Sequence, residues 1–350
     1  MNKGLYIHIP FCRKKCAYCD FYSVHHSKEL AERYTEAVIR NINAYGGKFD
    51  TVYFGGGTPI LLAEHIGRML KAADIAKGAE ITAEANPCEM EPHTLETLLK
   101  AGVNRISVGV QSFCDKELSA LGRRHDSNTA RRAILAAKAS GFDNISADLM
   151  LAVPHQTRDS LARTLDAMCG LPVSHISAYM LKIEPDTPFG RNPPEVPDED
   201  STADMYLQTV EALAQNGFAQ YEISNFAKKG CECAHNLKYW RREEYLGIGP
   251  AAHSFCDGRR FAVARDVGDF INSPVQKELL TDEAPDEYEE RVMLGLRLSE
   301  GIEESLWKPF ETSLRRVPKN YYRIENGRLS LTAEGFLLSN EIISLLLADQ

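Results

Sequence analysis

The chain has no uninterrupted run of about 18 apolar residues, so no membrane-spanning helix is expected. It also lacks the basic stretch and apolar run of a secretory leader: Met1-Asn2-Lys3 passes straight into a strand-like segment, and a cytoplasmic protein is expected. Positive charge is in short supply. Forty Lys and Arg against 49 Asp and Glu leave a net charge of −9. Binding to phosphate backbones needs clustered cations, so no nucleic-acid partner is expected. No internal repeat or low-complexity segment is present. Nine cysteines, an odd number with three crowded into eight residues, argue against a disulfide framework. They fit a metal site in a reducing compartment.

The 350 residues suit one large α/β domain, or one with a smaller companion. Their 44% hydrophobic and 25% charged content is that of an ordinary globular protein. Strand-like runs occur at 5–11, 49–57, 80–87, 105–113, 144–153 and 175–183. Between them lie segments with apolar residues at three- and four-residue spacing, such as 30–45, 61–74, 94–102 and 130–141, often closed by glycine. Six β-then-α units imply parallel strands, because only a crossover helix returns the chain in the same direction. An open doubly wound sheet and a partial (β/α)6 barrel are both compatible, and the partial barrel is preferred. Either places function at the C-terminal ends of the strands.

The proline-rich, acidic stretch 185–200 reads as a linker. Residues 1–190 are therefore expected to form the barrel and 191–350 a smaller α+β domain. Within the latter, 203–218 is a helix. The segment 321–347 reads as strand, Asn-Gly turn, strand and amphipathic helix, a winged-helix-like end.

Cys12, Cys16 and Cys19 carry the chemistry. Structural zinc takes four protein ligands, often as two pairs, and Cys231 and Cys233 are remote in sequence. An iron–sulfur cluster held by three thiolates, with one iron left for an outside ligand, fits better. Cys88, Cys114, Cys169 and Cys256 are scattered and read as small buried residues.

C-x3-C-x2-C directly after the first of six strands resembles the radical S-adenosylmethionine (SAM) superfamily. That resemblance implies a [4Fe–4S] cluster whose open iron is chelated by SAM. "FGGGTP" then supplies Gly55, Gly56, Gly57 and Thr58, where the absent side chains let the backbone approach SAM. "YIHIPFC", "GGGTP" and "GVQSF" are more specific and resemble the oxygen-independent coproporphyrinogen oxidase family. By that resemblance Tyr6, Tyr18, Glu84, Gln111, Arg123 and Asp148 contact SAM. Asp148, flanked by apolar residues in a strand, also needs a partner on its own account.

Two branches of that family compete. One oxidatively decarboxylates coproporphyrinogen III; the other, the HemW branch, consists of heme chaperones. Three features favour the second. The enzyme's fourth cysteine position is Phe21 here, only eleven residues precede Cys12, and "HNLKYW" (235–240) resembles the chaperone signature H-N-x-x-Y-W. A histidine beside aromatics is often only a packed core group. The resemblance nevertheless implies heme contact at His235, through a neutral imidazole nitrogen. Tyr239 and Trp240 would lie flat against the porphyrin, Lys238, Arg241 and Arg242 would meet its propionates, and Cys233 or Cys231 is a second possible iron ligand. The implied partners are heme and recipient hemoproteins, chiefly respiratory and some membrane-associated, with a possible homodimer. No catalytic residue is assigned, and productive SAM cleavage stays open.

Overall fold

The computed structural model describes residues 2–348. Six parallel strands form its centre: β1 (Lys3–Ile9), β2 (Lys48–Gly56), β3 (Asp74–Ala85), β4 (Arg105–Gln111), β5 (Asn144–Leu151) and β6 (His175–Met180). They lie side by side in chain order, each bonded to the next. A doubly wound sheet requires a reversal in that order, and there is none. Right-handed crossovers in a singly wound sheet fall on one face, so the helices cover one side and the sheet bends away from them.

Five long helices make that cover: α1 (Lys28–Tyr45), α2 (Ala63–Ala72), α3 (Pro92–Ala101), α4 (Ser127–Ser140) and α5 (Arg158–Cys169). Their ends follow local chemistry. The Ser27 and Asp126 side chains accept from Leu30 N and Thr129 N at the starts of α1 and α4. Gly102 and Gly141 take the left-handed conformation at the ends of α3 and α4.

The two faces of the sheet differ sharply. Leu5, Ile7 and Ile9 of β1, Val52 and Phe54 of β2, Ile106, Val108 and Val110 of β4, and Ile145, Ala147 and Leu149 of β5 pack into one buried core with the helices. Each such large side chain contributes about 1.5–3 kcal/mol. The alternate residues are polar: Thr51 and Tyr53, Glu80, Thr82 and Glu84, Arg105 and Ser107, Ser146 and Asp148, His175 and Ser177. Parallel strands usually read as continuous apolar runs because both faces are buried in oil-like surroundings. Here the inner face is a polar lumen.

The second half of the chain extends the same sheet at both ends. β7 (Ala219–Glu222) and β8 (Asn225–Ala227) add antiparallel beyond β6. On the other side β9 (Tyr245–Ile248) pairs parallel with β1, followed by antiparallel β10 (His253–Cys256), β11 (Arg259–Val263) and β12 (Glu278–Asp282). The result is a mixed twelve-stranded sheet with β12 and β7 as its ends. A separate three-stranded sheet joins Ile302–Glu303, Arg328–Leu331 and Tyr322–Glu325. The expected Asn-Gly turn is present, with φ of 51° at Asn326 and 77° at Gly327. Among the described residues no helix is long and apolar enough to cross a membrane.

Candidate cluster and SAM site

The cysteine loop leaves β1 and is tied at its base, where Phe11–Cys12 pairs with Val24–His25 and Val24 N donates to Pro10 O at 2.6 Å. It then crosses the C-terminal end of the sheet. Ala17 N donates to Leu121 O at 3.2 Å, and Arg123 Nη1 reaches Cys16 Sγ at 3.4 Å. Contacts between the loop after β1 and the segment after β4 require the sheet to be curved. Cys12 Sγ lies 3.5 Å from Thr58 Oγ1. Burial pushes the Cys19 thiol up to about 11, and raises Cys12 as well. The Cys12 and Cys19 thiols are therefore protonated at neutral pH, and metal binding must displace those protons.

Among the described residues no three or more Cys, His, Asp or Glu side chains converge as ligands of a single ion. A [4Fe–4S] cluster asks for something else, since each thiolate takes a different iron. Three cysteines on one tethered loop, with Phe21 63% exposed at the fourth position, match that three-cornered requirement.

The predicted SAM residues gather beside this loop. Glu84 accepts from Tyr53 Oη at 2.9 Å and from Gly56 N at 3.1 Å. Burial raises its pKa to about 7, helped by the nearby negative charge of Asp148. Asp148 itself is raised to about 6 by burial, against the pull of its hydrogen bonds with Ser107 and Ser177 and of Arg105 and Arg123. Tyr6 bonds His8 Nδ1 at 3.1 Å, and burial makes its hydroxyl hard to ionise. Tyr18 is half-buried, near Arg123, Cys16 and Cys19. Gln111 ends β4 with a φ of 71°, a conformation that non-glycine residues adopt chiefly where a site demands it.

Two features escaped the sequence reading. Asn86 is the joint of the site: its Nδ2 donates to Thr58 Oγ1 at 2.9 Å and its Oδ1 accepts from Arg123 Nη2 at 2.8 Å. The glycines, moreover, are required by the protein itself. A β-carbon at Gly56 would come within 2.6 Å of the His8 ring, and one at Gly57 within 2.7 Å of Phe11 O. Period-two alternation of polar residues along β3 and β4 was the signal that could have found Asn86 and Arg105.

His235 lies elsewhere. It sits at the N-terminal end of the strands, fully buried, against Gly4 and Thr51. Both ring nitrogens are engaged, Nδ1 with Thr51 Oγ1 at 2.8 Å and Nε2 with Tyr239 Oη at 2.7 Å. The ring stacks on Tyr53 at 5.3 Å, and burial lowers its pKa to about 3. Glu80 caps the helix Ala234–Trp240 from outside, accepting from Ala234 N at 3.1 Å and His235 N at 3.0 Å. The H-N-x-x-Y-W segment thus closes the floor of the lumen, with both nitrogens of His235 held by hydroxyl groups of the protein. Its cations are also paired: Lys238 with Asp50 and Glu243, Arg241 with Glu300, Arg242 with Glu290. Cys233 Sγ points at Glu80 Oε1, 3.5 Å away.

A curved, singly wound parallel sheet with three cysteines on the loop after its first strand is the arrangement of a radical SAM protein. The Radical SAM superfamily model matches residues 6–168. Among solved structures, the coproporphyrinogen III oxidase HemN from Escherichia coli, described as a radical SAM enzyme, superposes with a TM-score of 0.83 at 21% identity. It covers 99% of this chain and 90% of its own. Among curated proteins, the heme chaperone HemW of Escherichia coli strain K12 is 36% identical over 99% of this chain and 98% of its own length. That of Lactococcus lactis is 33% identical over 98% and 97%. The chain belongs to the HemW family.

Proposed function

We propose that this protein is a heme chaperone that holds a [4Fe–4S] cluster on Cys12, Cys16 and Cys19, binds SAM beside it, and passes heme to recipient hemoproteins. The observation that carries the reading is the likeness to HemW proteins along nearly the whole of both chains, residues 191–348 included. Phe21 at the fourth cysteine position supports it.

The cluster, with SAM on its open iron, supplies one-electron reducing chemistry when both are bound. The chain's own residues have separable tasks. Arg123, fixed by Asn86 and by Gly109 O, sets a positive charge beside Cys16. Glu84 and Asp148, poised near neutrality, present carboxylates that a cationic ligand would hold ionised. Tyr6, Tyr18, Gln111, Gly56, Gly57 and Thr58 complete the SAM contacts. Residues 1–190 carry the cluster and SAM, the remainder closes the lumen, and heme is taken up in the cytoplasm for respiratory recipients. A homodimer is the proposed assembly.

The test is anaerobic purification and reconstitution, with iron, labile sulfide, SAM binding and heme uptake quantified. The expected result is four irons and four sulfides per chain, stoichiometric heme, and no decarboxylation of coproporphyrinogen III. Decarboxylation without heme uptake would assign the enzyme activity instead. Zinc without labile sulfide would remove the radical SAM reading altogether.

A further inference from the structure

Arg105, 2% exposed, heads the largest fully buried side chains of the protein. It stands near the start of β4 and faces the lumen. Its Nε is buried without a partner, and among the described residues its guanidinium makes no hydrogen bond and no ion pair. Arginine stays charged, and a buried charge without an acceptor is costly enough that native proteins rarely keep one without a use.

The neighbouring carboxylates favour its charge through space, but none of them bonds it. Glu80 is committed to Ala234 N and His235 N, Glu84 to Tyr53 and Gly56, and Asp148 to Ser107. Directly across the ladder, Thr82 is the register partner of Arg105, and its hydroxyl is also buried with no partner. A cation and a hydroxyl on adjacent strands are thus left open together. Below them the His235–Tyr239 floor is sealed. Further along the strands Glu84, two residues beyond Thr82, and Asp148, four beyond Asn144 (the other register partner of Arg105), are only half-buried, so access comes from the cluster end.

We infer that Arg105 and Thr82 form a receptor, deep in the lumen, for a carboxylate group of a bound ligand. The planar fork of arginine matches a carboxylate with two parallel bonds, and the threonine hydroxyl can donate a third. The inference rests on the proposed function, whose two ligands both carry this chemistry: SAM has one carboxylate and heme has two propionates.

The experiment uses the full-length, anaerobically reconstituted protein. SAM, heme and heme dimethyl ester are titrated into wild type, Arg105→Gln, Arg105→Lys and Thr82→Val, with folding checked by circular dichroism. If a propionate is the occupant, Arg105→Gln weakens heme binding about 10- to 100-fold, and the dimethyl ester binds wild type and variant alike. If the SAM carboxylate is the occupant, SAM loses that factor and both heme forms are unchanged. Either result supports the receptor. Should folded Arg105→Gln bind SAM and heme within about twofold of wild type, the guanidinium is held by internal water alone and the inference is overturned. If Arg105→Gln does not fold, Arg105→Lys and Thr82→Val decide: unchanged affinities in both overturn it, and weakening of one ligand in both supports it. Wild type that takes up no heme defeats the chaperone reading instead and leaves the SAM titrations to judge Arg105.

Discussion

At the scale of single residues, Glu84 makes the acid–base behaviour of the site measurable. Its folded-state pKa of about 7 lies above the ordinary 4.5. Between those values the folded protein keeps a proton that the unfolded chain has released. The stability Glu84 contributes is therefore complete below about 4.5 and is lost as pH rises through about 7. In the metal-free protein, the melting temperature of Glu84→Gln relative to wild type is expected to climb between pH 5 and 8. A flat difference would show that the carboxyl is not so perturbed. His235 invites a different measurement. Replacing it by alanine removes two buried hydrogen bonds and a stacked ring, so urea unfolding should show a loss of about 2–4 kcal/mol. Heme uptake per folded molecule should be retained, because the ring is sealed into the floor. The sequence made His235 conspicuous as a motif but gave no sign of its surroundings. Thr51, Glu80 and Tyr53 come from distant strands, and only the pairing of β1, β2 and β3 delivers them.

The strands and loops carry a second group of consequences. Gly102 and Gly56 both have positive φ, of 105° and 107°, but their surroundings differ. A methyl group at Gly102 meets nothing, whereas one at Gly56 strikes His8. Gly102→Ala should lower stability by about 1 kcal/mol, and Gly56→Ala by clearly more, since backbone strain is joined by a steric clash. Paired denaturation curves would show whether the loop glycine is a packing requirement or only a turn. At this scale the sequence was largely readable. The six strands and the crossover helices were visible from periodicity, because a period of two and a period near 3.6 differ over even a short window. The fate of residues 219–282 was not. Their short strands have no pattern that says which edge of a sheet they will join, and β7–β8 and β9–β12 go to opposite ends.

The whole molecule is bound together at one joint. Glu290, on the helix Glu287–Gly295, pairs with both Arg242 and Arg260, and both guanidinium groups lie over the Phe255 ring, at 4.7 and 4.5 Å. Arg242 immediately follows the lumen floor and Arg260 belongs to β11, so this half-buried knot ties the C-terminal helices to the sheet. Glu290→Ala leaves two cations facing each other, and a loss of about 2–4 kcal/mol is expected. Hydrogen exchange should then accelerate in Ser339–Leu347 before it does in β1–β5; uniform acceleration would mean that the joint is not local.

The alternation of the sheet's two faces bears on how such a protein can change over generations. Deleting one residue inside β4 barely alters the composition, yet it would turn Arg105 toward the oily helices and drive Ile106 into the watery interior. Insertions and deletions that survive in descendants of this chain should accordingly fall between the strands, or come in compensating pairs. The ancestry of the chamber is written in parity as much as in residue identity.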